Sequence, residues 1–301
     1  MWILLTNRQR PHFHPSPNPL ASAPSPTTLP LRGHQRIRAI TLRGKPIGRD
    51  DPQFFQGYSQ MGRSIGGLDA APEWPALQSM LAPMKGLKVV DLGCGYGWFS
   101  RWASEQGADS VLGLDVSQKM LEQARNTTSA ANIQYARADL EQLDLPAGSF
   151  DLAYSSLALH YIKDLPGLFA TLHAALKPGS RFVFSIEHPV FMTPRNPGWL
   201  IDGEGRKRWP LDSYQLEGER VTNWLAEGVI KPHRTVGTLL NTLIAAGFTI
   251  RHVNEWGPSD AQVVAQPALA EERERPMMML VGGALKYKRG RHLTNDCQTR
   301  I

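Results

Sequence analysis

Val89-Val-Asp-Leu-Gly-Cys-Gly-Tyr-Gly-Trp-Phe-Ser100 reads as a short apolar strand that runs directly into a glycine turn and the start of a helix. Gly93, Gly95 and Gly97 alternate immediately after the strand. Residues without Cβ let a chain turn tightly and bring its backbone N–H groups close to a ligand. The helix that follows directs its N-terminus, with its unpaired donors, at the same place. The spacing differs from the dinucleotide pattern, in which the third glycine stands three residues after the second. Here it stands two after, and an acidic residue, Asp91, opens the motif.

Working outward, strands and helices alternate. Lys88–Leu92 is a strand and Phe99–Gln106 a helix stopped by Gly107. Ser110–Asp115 is a second strand, followed by a helix over Ser117–Arg125 with Met120, Leu121 and Ala124 on one face. Asn132–Ala138 is a third strand. Ser149–Tyr154 is a fourth, Leu165–Leu176 its helix, ended by Lys177-Pro178-Gly179, and Arg181–Ile186 a fifth strand. Val236–Ala246 is a helix, and Phe248–Val253 and Met277–Val281 are two more strands. Short apolar strands separated by helices predict an α/β fold with a mostly parallel sheet covered on both faces. Before the first strand, Trp74, Leu77, Met80 and Leu81 recur at helical spacing, and Lys85-Gly86 ends that helix.

The rhythm breaks over residues 187–234, a stretch with several prolines and with aromatics at Phe191, Trp199, Trp209, Tyr214 and Trp224. An interruption of this length inside a domain needs structure or a purpose. It is expected to cap the C-terminal edge of the sheet; a surface insertion is the other reading.

The chain has 301 residues, 42% of them hydrophobic, enough for one sizeable core. Residues 1–49 stand apart as a Pro-rich basic head with eight basic residues and no acidic one, expected to be disordered. Residues 286–301 form a basic tail. The net charge of +6 therefore sits in the two ends, and the body over residues 50–285 is net acidic. That division argues against a nucleic-acid partner. The two cysteines, Cys94 and Cys297, make no disulfide framework and suit a reducing compartment. No apolar run is long enough to span a membrane. A cytoplasmic location is expected, with mitochondrial targeting by the acid-free head left open.

Carboxylates recur at the ends of successive strands. Asp91 ends the first, Asp115 the second, and Asp139 follows the third. Each alone reads equally as a helix cap or a turn residue. Together they describe a nucleoside pocket, with Asp115 accepting from ribose hydroxyls, Asp139 from an adenine amino group, and Leu140 backing the ring.

Five ordered segments resemble the class I S-adenosylmethionine-dependent methyltransferases, and especially the small-molecule branch. They are Val89–Gly97, Val111–Leu121, Ala138-Asp139-Leu140, Phe150–His160 and Leu176–Phe184. The resemblance implies a Rossmann-like seven-stranded sheet in the order 3-2-1-4-5-7-6, with strand 7 antiparallel and helices on both faces. It implies a methyltransferase domain over residues 50–285; the cap insertion at 187–234 departs from the simplest family pattern and leaves the acceptor open. It also implies S-adenosylmethionine as methyl donor. That molecule has no phosphate; its methionine end is zwitterionic, so Asp91 would face the ammonium group while Gly93 and Gly95 let the thioether lie against backbone. Tyr58 and Met61 would form an N-terminal lid. Cys94 and Val116 would line the donor, and Tyr154, Ser155 and Ser156 would border the methyl group.

Methyl transfer is an in-line displacement from a good leaving group, so alignment, a dry pocket and sometimes a base are needed. His160, His188 and His233 are the candidate bases. Glu187, Arg234, Trp199, Tyr214 and Trp224 are the candidate acceptor contacts, with ordinary packing or surface pairing as the other reading of each. No metal-ligand spacing is present. The expected reaction is methylation of an O or N atom of a small molecule, by a monomer or homodimer with no membrane partner. Two rivals stand beside it: an RNA or protein methyltransferase docked through the head, and a donor-binding module without catalysis.

Overall fold

The computed structural model describes residues 51–285. The head, residues 1–49, and the tail, 286–301, with Cys297, lie outside the described residues. In chain order the elements are helices α1 (Pro52–Ser59), α2 (Gly62–Gly66) and α3 (Trp74–Met80), then strand β1 (Lys88–Leu92) and α4 (Trp98–Glu105). These are followed by β2 (Ser110–Asp115), α5 (Gln118–Asn126), β3 (Ile133–Arg137), β4 (Phe150–Ser156), α6 (Leu165–Ala175) and β5 (Leu176–Glu187). Next come α7 (Pro189–Met192), β6 (Leu200–Ile201), β7 (Lys207–Arg208), β8 (Gly218–Thr222) and β9 (Val229–His233). The last elements are α8 (Val236–Ala245), β10 (Thr249–Trp256), α9 (Asp260–Ala265) and β11 (Met278–Ala284).

Seven strands form one sheet in the order β3-β2-β1-β4-β5-β11-β10. Numbered along the chain within the sheet, that is 3-2-1-4-5-7-6. β11 runs antiparallel to both β5 and β10, while β1 to β5 pair in parallel. This is the expected Rossmann-like topology. Its cause is visible in the strands: Val89 and Val90 are both buried, on opposite faces, because successive side chains alternate. Val90, Leu92, Ala153, Phe182 and Phe184 pack with α6 and α8 through Leu168, Phe169, Leu172, Leu239 and Leu243. Val89, Val111, Leu152 and Val183 pack on the other side with Trp74, Leu77, Phe99 and Ala103 of α3 and α4. Each of the valine, leucine and phenylalanine side chains among them contributes about 1.5–3 kcal/mol by leaving water.

Helix starts follow local chemistry. Asp51 accepts from the amides of Gln53 and Phe54, Ser117 from Met120, Asp164 from Gly167, and Thr235 from Thr238. Ser259 and Gln262 make a reciprocal capping box on α9.

Three local differences from the sequence reading have simple reasons. α6 stops at Ala175, and β5 begins at Leu176, so Lys177-Pro178-Gly179 lies in the strand; the pairing with β4 slips between Phe150 and Leu152 to admit it. β10 and β11 extend to Trp256 and Ala284 because each completes the other's ladder. The segment between them carries α9 and a 3₁₀ turn over Pro267–Arg273, which no periodic pattern announced. Residues 187–234 hold α7 and two antiparallel hairpins, β6–β7 and β8–β9.

Candidate active site

The C-terminal ends of β1 to β5 share one edge of the sheet and bring the candidate residues together. Gly93 and Cys94 donate their amides to the carbonyl of Leu114 (2.8 and 2.9 Å), which ties the loop to β2. Gly93 has φ +71°, and a Cβ there would lie 2.4 Å from Cβ of Ala158. Only glycine fits this approach. Asp115 Oδ2 accepts from the amide of Gly95 and Oδ1 from that of Ser117, both at 2.9 Å. The second strand end and the glycine loop are thus held by one carboxylate. Val116 is half exposed, and its carbonyl accepts from Nε of Arg137.

Asp91 is buried, and Ser100 Oγ donates to its Oδ2 at 2.7 Å. Burial pushes its carboxyl up to about 7; the Ser100 hydrogen bond opposes that and the charge of Asp115 adds to it. Among the described residues no cation pairs with Asp91. A buried carboxylate in that condition suits a ligand that brings its own ammonium group. Asp139 Oδ1 caps the following turn by accepting from Glu141 N, and Leu140 is buried behind it.

A cavity opens beside Asp91 and Gly93, walled by Tyr58, Arg63, Glu73, Tyr154 and Ser156. Tyr58 reaches it from α1 and packs edge-on against Tyr96 of the loop. Met61 is buried at the start of α2. Tyr154 lies flat on Phe99, and burial holds its phenol well above the ordinary range. Ser155 Oγ donates to the carbonyl of Leu92 at 2.9 Å, linking β4 to β1 at the loop's root. The thiol of half-buried Cys94 is raised by burial and by Asp91. Arg63 and Glu73, paired at 2.8 Å, were not singled out by the sequence. They lie ten residues apart in the irregular stretch before β1, where no pattern marks them.

A second cleft lies under the β8–β9 hairpin, lined by Glu187, Phe191, Met192, Arg220, Trp224 and Lys231. Glu187 ends β5, two residues beyond the pair Ser156–Ser185, so the cleft starts one strand over from the donor-side cavity. Lys231 Nζ donates to Glu187 Oε1 at 2.6 Å, with both side chains buried. His160 flanks the same carboxylate: its Nε2 lies 3.7 Å from Oε1, and its Nδ1 accepts from the Glu187 amide at 3.4 Å. The Nδ1 bond fixes the tautomer with hydrogen on Nε2, aimed at the carboxylate. Lys231 also stands over the rings of Trp224 (4.7 Å) and Tyr161 (5.6 Å).

The other candidates are placed elsewhere. His188 is buried with both nitrogens engaged, Nδ1 by the amide of Val190 and Nε2 by Glu255 at 2.8 Å; burial lowers its pKa. His233 Nε2 donates to the Tyr214 carbonyl at 2.9 Å, and its buried Nδ1 has no partner; burial lowers its pKa too. Tyr214 Oη accepts from Val236 N, which starts α8. Arg234 donates to the carbonyls of Ile162 and Lys163, both at 2.7 Å. Trp199 packs with Trp209 and Phe191 around the guanidinium of Arg275, 4.4–5.2 Å from the three rings. The sequence-derived set is thus divided: Glu187, Trp224 and His160 gather at the cleft, while His188, His233, Arg234, Tyr214 and Trp199 hold the surrounding loops.

The Methyltransferase domain family model matches residues 90–184. A crystal structure of an S-adenosylmethionine dependent methyltransferase from Mesorhizobium loti is 60% identical, covers 72% of this chain and 100% of that one, and superposes with a TM-score of 0.70. A malonyl-[acyl-carrier protein] O-methyltransferase from Serratia marcescens is 33% identical over 48% of this chain and 58% of its own. Phosphoethanolamine N-methyltransferase 1 from Arabidopsis thaliana is 31% identical over 68% of this chain and 40% of its own. This chain therefore matches little more than half of the first of those two enzymes and less than half of the second.

Proposed function

The chain belongs to the S-adenosylmethionine-dependent methyltransferases, and we propose that it methylates an oxygen or nitrogen atom of a small molecule held in the cleft under the β8–β9 hairpin. The bound donor supplies a methyl group on a positively charged sulfur. Asp91 takes the donor's ammonium group, and Asp115, already oriented by two amides, accepts from the ribose hydroxyls. Asp139 and Leu140 take the adenine, with Cys94 and Val116 beside them. Tyr58 closes over the methionine end.

The observation that carries this reading is the pairing of a cation-free buried Asp91 with the anchored Asp115 across one glycine loop. On the acceptor side Glu187, Lys231 and Arg220 are the charged groups lining the cleft, with Lys231 paired to Glu187 and His160 flanking the same carboxylate. The names of these relatives, one O-methylating and one N-methylating, support an acceptor atom of either kind.

The test is calorimetric titration with S-adenosylhomocysteine, followed by a metabolite extract incubated with labelled donor. Asp115→Ala should weaken binding at least tenfold, on the order of 1.4 kcal/mol for one lost charged contact. Label should appear in the low-molecular-mass fraction. Undiminished binding in the variant sinks the donor assignment; label found only in RNA or protein sinks the small-molecule assignment.

A further inference from the structure

The cleft under the β8–β9 hairpin holds two buried cations and one buried carboxylate. Lys231 pairs with Glu187. Arg220 lines the same cleft and is almost fully buried. Its guanidinium donates only to carbonyls, those of Thr193, Ser213, Leu216 and Glu219. Among the described residues no carboxylate lies within ion-pair distance of Arg220. The charges that reach it from outside the cleft are Arg195 and Asp212, of opposite sign, and Arg195 donates its amide to Asp212. His160 carries its hydrogen on Nε2 and adds no formal charge when neutral. Burial lowers the pKa of His233, the histidine that ends β9. The cleft thus keeps one positive charge more than its own residues balance, in a setting where an unbalanced charge is expensive. Its remaining walls are the apolar Phe191, Met192, Pro197 and Trp224 and the polar, uncharged Thr222 and Asn223.

We infer that the methyl acceptor is a monoanion, a carboxylate on a flat or apolar body, whose charge is met by Arg220 and Lys231 while its body lies against Trp224 and Met192. A phosphate monoester, close to a dianion at neutral pH, would reverse the imbalance instead of cancelling it. A cationic amine would add to it. The inference rests on the proposed acceptor role of this cleft and adds the charge class of what fills it.

Three probes share one ring system and differ in charge: indole-3-acetate, indole-3-acetamide and tryptamine. Each is titrated into the full-length protein saturated with S-adenosylhomocysteine. Indole-3-acetate should bind about tenfold or more tighter than the amide, and tryptamine weakest of all. Lys231→Met should remove that preference, and retained S-adenosylhomocysteine binding reports that the variant is folded. The wild-type ranking stands as a test even if the variant does not fold. Equal binding of acid and amide, tighter binding of tryptamine, or no binding of the acid at millimolar concentration overturns the inference. If S-adenosylhomocysteine itself fails to bind, the proposed function falls; if it binds and the cleft ignores charge, only this inference falls.

Discussion

Asp91 imposes a pH dependence on donor binding whose size follows from its surroundings. Its carboxyl is raised from 3.8 to about 7, chiefly by burial, against the opposing Ser100 hydrogen bond. A shift of about three units corresponds to about 4 kcal/mol. The folded protein holds this proton to higher pH than the unfolded chain does. Between about pH 4 and pH 7 folding therefore takes up a proton, and stability falls as pH rises through that window. A ligand ammonium beside Asp91 favours the carboxylate and expels the proton. With a free value of about 7 and a much lower bound value, affinity at about pH 6 should be roughly tenfold weaker than at about pH 8. Titration calorimetry with S-adenosylhomocysteine in two buffers of different ionisation enthalpy measures this directly. Proton release should approach about one per site near pH 6 and vanish towards pH 8. Ser100→Ala removes the donor to the carboxylate and should move the inflection up by about one unit, the equivalent of a charged hydrogen bond of about 1.5 kcal/mol. A flat affinity profile, or an inflection indifferent to Ser100, would refute the role given to Asp91.

Gly93→Ala should abolish measurable donor binding and destabilise the fold by about 2 kcal/mol or more, since a left-handed backbone and a clash with Ala158 Cβ act together. The double variant with Ala158→Gly should recover part of the stability in a denaturant titration; strict additivity would count against the clash. Arg275→Ala should cost about 2–4 kcal/mol, because a buried cation leaves three rings. Its S-adenosylhomocysteine affinity should match that of the wild type, and a matching loss of affinity would show that these tryptophans serve the site after all.

The sheet and the glycine loop were legible because their signals are local. A strand announces itself over five residues, and the glycines stand next to it in the chain. Asp91, Asp115 and Asp139 were legible for the same reason: the end of a parallel strand is where ligands meet this kind of sheet. The acceptor side depends on contacts the chain makes only once folded. Glu187 and Lys231 are 44 residues apart and are joined by a hairpin that no periodicity predicts. Arg275 claims Trp199 and Trp209 from a different segment again. One distinction was within reach of the sequence. Glu187 and His188 are consecutive at the end of a strand, and consecutive side chains there point to opposite faces. If Glu187 faces the cleft, His188 faces away, as its contact with Glu255 shows.

The two halves of the site share a side chain, and this links donor and acceptor binding. Trp224, in the turn of the β8–β9 hairpin, packs edge-on against Phe54 of α1 at 5.6 Å and lies under Lys231 at 4.7 Å. Leu225 beside it touches the Cα region of Gly57, where a Cβ would come within 3.1 Å. α1 carries Tyr58 into the donor-side cavity. The helix that closes the donor and the hairpin that roofs the acceptor therefore rest on one another, through residues about 170 positions apart in sequence. Trp224→Ala removes the aromatic contact, about 0.5–1.5 kcal/mol beyond area burial. S-adenosylhomocysteine affinity should drop by roughly two- to tenfold, although Trp224 does not line the donor cavity. Phe54→Ala should cause a similar loss, and the double variant little more than either alone, because one contact is removed twice. Losses that simply add would mean that the two residues act independently and that the halves close separately.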